Sequence, residues 1–175
     1  MEPQTADPLT KWLQQEIAPA VEEASILLYE YSRLEVRDIE SSRILLWKLT
    51  SLNHRLGLLF ADAIELKSEF QTQCDEIYSQ VLLMVNSKQL GYKITVEMAK
   101  AAAELGTSSV EALANLYPSV VGSLGLVAGN EPKRKVNQLS STVEKLRVLQ
   151  RDMQESINGI KHLGNRDMQH AVHGV

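Results

Sequence analysis

Between Leu45 and Met84, apolar side chains recur at alternating intervals of four and three. The series runs Leu45, Leu49, Leu52, Leu56, Leu59, Ala63, Leu66, Phe70, Gln73, Ile77, Gln80 and Met84, and ten of these twelve positions are apolar. From Ala20 to Leu90 there is no proline, and Gly57 is the only glycine. Such spacing marks one face of an α-helix, and the period-two alternation of a strand is absent. The run predicts a helix of about forty-five residues, roughly 65–70 Å long at 1.5 Å per residue. A rod of that length has no compact way to cover its own stripe. It must fold back on other segments or pair with another chain.

Two further runs share the spacing. Near the start, Ile17, Val21, Ala24, Leu28 and Tyr31 keep it, with Pro19 tolerable in a first turn. The phase then fails at Glu35, and Val36 and Ile39 begin a new register beside the capping residues Asp38, Ser41 and Ser42. Either a reversal or a skip in the seam lies there. Trp12 and Leu13 fall in a short leading helix. Towards the C-terminus, Val136, Leu139, Val143, Leu146, Gln150, Met153, Ile157 and Ile160 form a third stripe, after which Gly164 and the polar end are expected to fray.

The intervening stretch has a different character. Gly91 is expected to end the long helix. Thr95 caps a short helix stopped by Gly106, and Ser108 with Glu111 makes a capping box for another that Pro118 stops. From Ala112 to Asn130 no residue is charged, and Gly122, Gly125 and Gly129 punctuate the segment. A buried loop or a small-residue packing surface is expected there. The predicted fold is therefore all-α, an elongated helical bundle or coiled coil with a short helical-hairpin insertion. Its expected divisions are 1–90, 91–130 and 131–175.

Composition narrows the function classes. Hydrophobic residues make up 44% of the chain and the formal net charge is only −4, which argues against disorder. Cys74 is the single cysteine, so no disulfide scaffold forms within the chain, and a free thiol suits an intracellular setting, nuclear or cytoplasmic. The first residues lack the basic end and apolar stretch of a secretory signal. The uncharged run from Ala112 to Asn130 is near the lower length limit for a membrane span, but Pro118 and three glycines weaken it as a helix. No membrane span is expected.

Reactive constellations are missing from the pattern. His170 and His173 could share a helix face, but four-ligand company for a structural zinc is lacking, so no metal is expected. Cys74 has Asp75 and Glu76 beside it, which oppose thiolate formation and make it a packing residue. Adjacent carboxylates such as Glu22 and Glu23 diverge on a helix. No glycine-rich phosphate loop occurs, and no cofactor is expected. The two short helices between Thr95 and Tyr117 have the outline of a helix-turn-helix, yet the second offers Glu111 and Asn115 and no cation to a DNA groove.

One local oddity remains. Lys133, Arg134 and Lys135 stand where the last helix begins, and cations at a helix start oppose its dipole by about 0.3–1 kcal/mol each. Either the helix begins later, or an acidic partner, a phosphate or an import receptor offsets them. The net charge is −7 up to residue 130 and +3 beyond it.

The expected function is that of a non-catalytic coiled-coil subunit of a larger multiprotein assembly: a scaffold, tether or adaptor. Its partners are other helical proteins, in a homo- or hetero-oligomer. The partner-helix interface is Leu45, Leu49, Leu52, Leu56, Leu59, Leu66, Phe70, Ile77 and Met84 with Val136, Leu139, Val143, Leu146, Met153, Ile157 and Ile160. Gln73, Gln80 and Gln150 are expected to fix register. The alternative is a nucleic-acid accessory protein using Lys133, Arg134, Lys135, Lys145, Arg147, Arg151, Lys161 and Arg166 on phosphates. Interleaved Glu144, Asp152 and Glu155 weigh against it.

Overall fold

A computed structural model describes residues 7–34, 39–86 and 95–173, with side chains placed as far as residue 163 except at 86. Every regular element among them is helical, and the fold is an all-α helical bundle. In chain order these are α1 (Pro8–Trp12), a π-helical turn (Leu13–Ile17), α2 (Ala18–Ser32), α3 (Ile39–Asn86), α4 (Val96–Ser108), α5 (Val110–Leu116), α6 (Pro118–Leu124) and α7 (Pro132–His173). The helices pack as two compact units, residues 1–63 with 142–175, and residues 64–141. Each long helix thus contributes to both units, so the units do not follow the three consecutive segments expected from sequence.

In the first unit, α2 runs antiparallel to the first part of α3. Glu30 meets Lys48 at 3.9 Å and Glu23 meets Arg55 at 3.7 Å, so later residues of one helix face earlier residues of the other. The phase break near residue 35 is therefore a reversal, although residues 35–38 lie outside the described set. α7 is also antiparallel to α3: Asn53 Nδ2 donates to Gln154 Oε1 at 3.3 Å, and Gly57 faces Gln150. Leu9, Ile17, Ala20, Ala24 and Leu27 complete the core. The hydroxyl of Tyr31 lies where a side chain on Gly159 would sit, so only glycine admits that approach.

The expected partner seam is closed by the chain's own helices. Leu45, Leu49, Leu52, Leu56 and Leu59 of α3 and Leu146, Met153, Ile157 and Ile160 of α7 are buried, and Val143 is half-buried. A segment that can fold back loses less freedom by covering its stripe than two separate chains lose by meeting.

The second unit is built on the later part of α3. Val81 and Val85 pack with Ala99, Ala102, Ala103, Leu113, Tyr117 and Val120, and Ile77 and Met84 lie at the edge of that cluster. Leu66 and Phe70 are half-buried, and Val136 and Leu139 are buried. Gln73 and Gln80 are exposed, so they do not act as register residues in a seam. A strict seven-residue series drifts by about 20° per heptad on a straight helix. By its later repeats Gln73 and Gln80 have rotated outward, and Cys74 and Val81 have rotated in.

The capping chemistry also shifts by a residue. Thr95 Oγ1 accepts from Met98 N as expected, but Ser109 rather than Ser108 caps α5, accepting from Ala112 N. Ser108 instead donates to Glu104 O in the last turn of α4. Gly106 lies within α4, where a Cβ would come 2.8 Å from Val81 Cγ2, so it marks close helix packing and not a stop. The expected loop after Pro118 is helix α6, closed by Gly125 in the left-handed region at φ 62°. α7 continues past Gly164 to His173, where fraying was expected. Gly91, expected to end α3, lies outside the described residues.

Candidate interaction surface

Opposite the buried stripe of α3 runs a second one. Residues 45, 49, 52, 56 and 59 face the core, so at 100° per residue the outward positions are 40, 44, 47, 51, 54 and 58. These are Glu40, Ile44, Trp47, Ser51, His54 and Leu58, and all are exposed. Trp47 is 72% exposed, Leu58 57% and Ile44 49%. A solvent face carries single apolar residues routinely, and three large ones in line on one helix make this face a candidate contact surface. On α2, Ile26 and Tyr29 are exposed as well, with the Arg33 guanidinium 4.8 Å above the Tyr29 ring.

Cations flank the α3 stripe. Arg43, Lys48 and Arg55 fall between residues 41 and 61, where α3 carries no Asp or Glu. Lys48 is paired with Glu30 at 3.9 Å, and Arg55 with Glu16 at 3.6 Å and Glu23 at 3.7 Å. These N···O separations exceed the 2.7–2.9 Å of a tight charge-assisted bond, and all five groups are about half-exposed. Arg43 has no ion pair among the described residues.

The basic cluster belongs to the second unit and is largely satisfied there. α7 starts at Pro132, so Lys133, Arg134 and Lys135 do stand in its first turn. Lys133 Nζ donates to Glu104 Oε2 at 2.7 Å, which raises its pKa above the ordinary lysine value. Lys135 Nζ donates to Asn130 Oδ1 at 2.8 Å and lies 5.0 Å from the centre of the Phe70 ring. Just ahead, the Glu131 carboxylate accepts from Gly129 N at 3.0 Å, and that bond chiefly holds its pKa below the ordinary glutamate value. The dipole mismatch is thus offset mainly by the chain's own Glu104, Asn130 and Glu131. Arg134 reaches an open cleft of about 530 Å³ that it lines with Ser108, Lys133, Asn137 and Gln138.

Cys74 lines a smaller cleft of about 210 Å³ together with Asp75, Glu104 and Lys133. Burial raises its thiol pKa, and Asp75 raises it further, against the opposing effect of Lys133. A thiol held protonated is a poor nucleophile. Among the described residues no group of three His, Cys, Asp or Glu side chains is placed to hold a metal ion, and no helix is long and apolar enough to cross a membrane. His170 and His173 have side chains outside the described set.

Sequence reasoning located the core stripes but passed over Trp47, Ile44 and Leu58. Two signals pointed to them. Their own spacing of three and eleven residues keeps one helix face, and the surrounding stretch lacks carboxylates. Comparison of the chain with protein-family models, curated proteins and solved structures finds no match.

Proposed function

We propose that the chain is a non-catalytic helical subunit of a larger protein assembly, acting as a scaffold or adaptor through helix–helix contact. It is a self-contained bundle whose predicted seam is already covered, and it offers its partner a different surface, the outer face of α3. The observation that carries this reading is the aligned exposure of Ile44, Trp47 and Leu58. Tryptophan is enriched among the few residues that dominate binding energy at protein interfaces. Such a side chain left in water on a folded helix is an anchor awaiting a pocket. The free cysteine fits an intracellular assembly.

The test is recovery of partners by the tagged full-length chain from its own cells, beside the variant Trp47→Glu. The expected outcome is one protein recovered in stoichiometric amount with the unmodified chain and lost with the variant, while both unfold at the same temperature. Recovery of the same proteins by both would overturn the assignment of this face.

A further inference from the structure

Resting on that reading, we infer that the outer face of α3 receives an amphipathic helix whose apolar stripe is flanked by carboxylates. The apolar part is narrow. Ile44, Trp47 and Leu58 lie on one line, separated by Ser51 and His54, and span about 21 Å at 1.5 Å per residue. That footprint matches a rod of about four turns, since helices pack with axes about 8–10 Å apart. The charge beside the stripe is one-sided: Arg43, Lys48 and Arg55 with no acid on α3 between Glu40 and Asp62. Glu16 of the π-helical turn and Glu23 and Glu30 of α2 reach Lys48 and Arg55 only at 3.6–3.9 Å, which leaves those cations able to take closer carboxylates. Among the described residues Arg43 has none to give up.

Charge also selects against two other occupants. A second copy laid on this face brings its own Arg43, Lys48 and Arg55 to the same borders, a poorer match than a helix that carries carboxylates there. An anionic membrane wide enough to wet the unit would meet Glu23 and Glu30 on the neighbouring α2 and Glu16 just ahead of it, whereas a single helix touches only the stripe and its borders.

Trp47 is its own reporter. In a full-length chain carrying Trp12→Phe it is the remaining tryptophan. Two synthetic helical peptides of equal length share a leucine stripe and differ only in Glu or Lys at the flanking positions. The Glu-flanked peptide is expected to shift Trp47 emission to shorter wavelength and to bind at least about tenfold more tightly than the Lys-flanked one at low salt. That margin is expected to shrink on going from about 50 to about 500 mM salt. The double variant Arg43→Glu, Lys48→Glu, checked for unchanged helical circular dichroism and melting temperature, is expected to reverse the preference. Equal binding of both peptides, or binding of neither, would overturn the inference. So would a blue shift produced only by phosphatidylserine vesicles, or burial of Trp47 through concentration-dependent self-association. A cellular partner lost on Trp47→Glu alongside equal peptide binding would leave the adaptor reading standing and remove only the charge selection.

Discussion

At the scale of single residues, two glycines in helices carry opposite meanings. Gly106 is buried in α4, and a Cβ there would meet Val81 Cγ2 at 2.8 Å, on a branched side chain that is itself fully buried. Gly122 in α6 has open space around its missing Cβ. Gly106→Ala is expected to lower stability by about 1–2 kcal/mol, since overpacking outweighs the gain in helix propensity. Gly122→Ala is expected to raise it by up to about 1 kcal/mol. Denaturant titration of both variants checks the contrast. Glu131 supplies a pH signature. Its carboxylate pKa is depressed in the folded chain, chiefly by the Gly129 N–H, so its contribution is complete above its unfolded value and fades as pH falls through the folded one. Glu131→Gln is expected to flatten part of the loss of stability on acidification below about pH 5, read by unfolding at a series of pH values.

At the scale of elements, the two faces of α3 separate fold from contact. Leu56 is fully buried and Trp47 is largely exposed, although they lie nine residues apart on one helix. Leu56→Ala is expected to cost about 2–5 kcal/mol in thermal or chemical unfolding. Trp47→Glu, an exposed change, is expected to move stability by no more than about 0.5 kcal/mol. The helices themselves were legible because long 3–4 spacing has a single physical source. The leucines from Leu45 to Leu59 lie where the spacing placed them, and so do the anchors of α7. What the spacing could not supply was phase over many turns. A fixed heptad count keeps Gln73 and Gln80 in line on paper, and the real rotation per residue moves them to solvent. Capping was legible to within one residue, because Ser108 and Ser109 offer the same hydroxyl and only the backbone decides which of them caps. Gly106 was misread because a glycine that ends a helix and one that permits close packing look identical in sequence.

For the molecule as a whole, charge weighs on the choice between the two functional expectations. The candidate phosphate-binding set includes Lys133, held by Glu104 at 2.7 Å, and is interleaved with Glu144, Asp152 and Glu155. Cations already committed to internal carboxylates release few counterions on binding a polyanion. With a formal net charge of −4, the chain is expected to show no binding to single- or double-stranded oligonucleotides at about 50 mM salt, measured by fluorescence anisotropy. The candidate surface was the least legible part. Whether a stripe is covered depends on which segments fold back, and that follows from packing between residues far apart in the chain. The spacing placed Trp47 away from Leu45 and Leu49, and its 72% exposure followed once those leucines had found their cover inside the same unit.

The π-helical turn at Leu13–Ile17 has its reason in angles. Leu9 and Ile17 are both buried, yet eight residues of regular α-helix would leave them about 80° out of line. One additional residue accommodated in a wider turn absorbs about 100° and restores the alignment. Pro19, just downstream, lacks the N–H that a regular ladder would aim at Gln15, so the widening falls where the ladder is already broken. Shortening the chain by Gln14 turns the interval into one heptad of ordinary helix. The shortened chain is expected to keep Leu9 inside and to melt no lower than its parent, read by thermal unfolding.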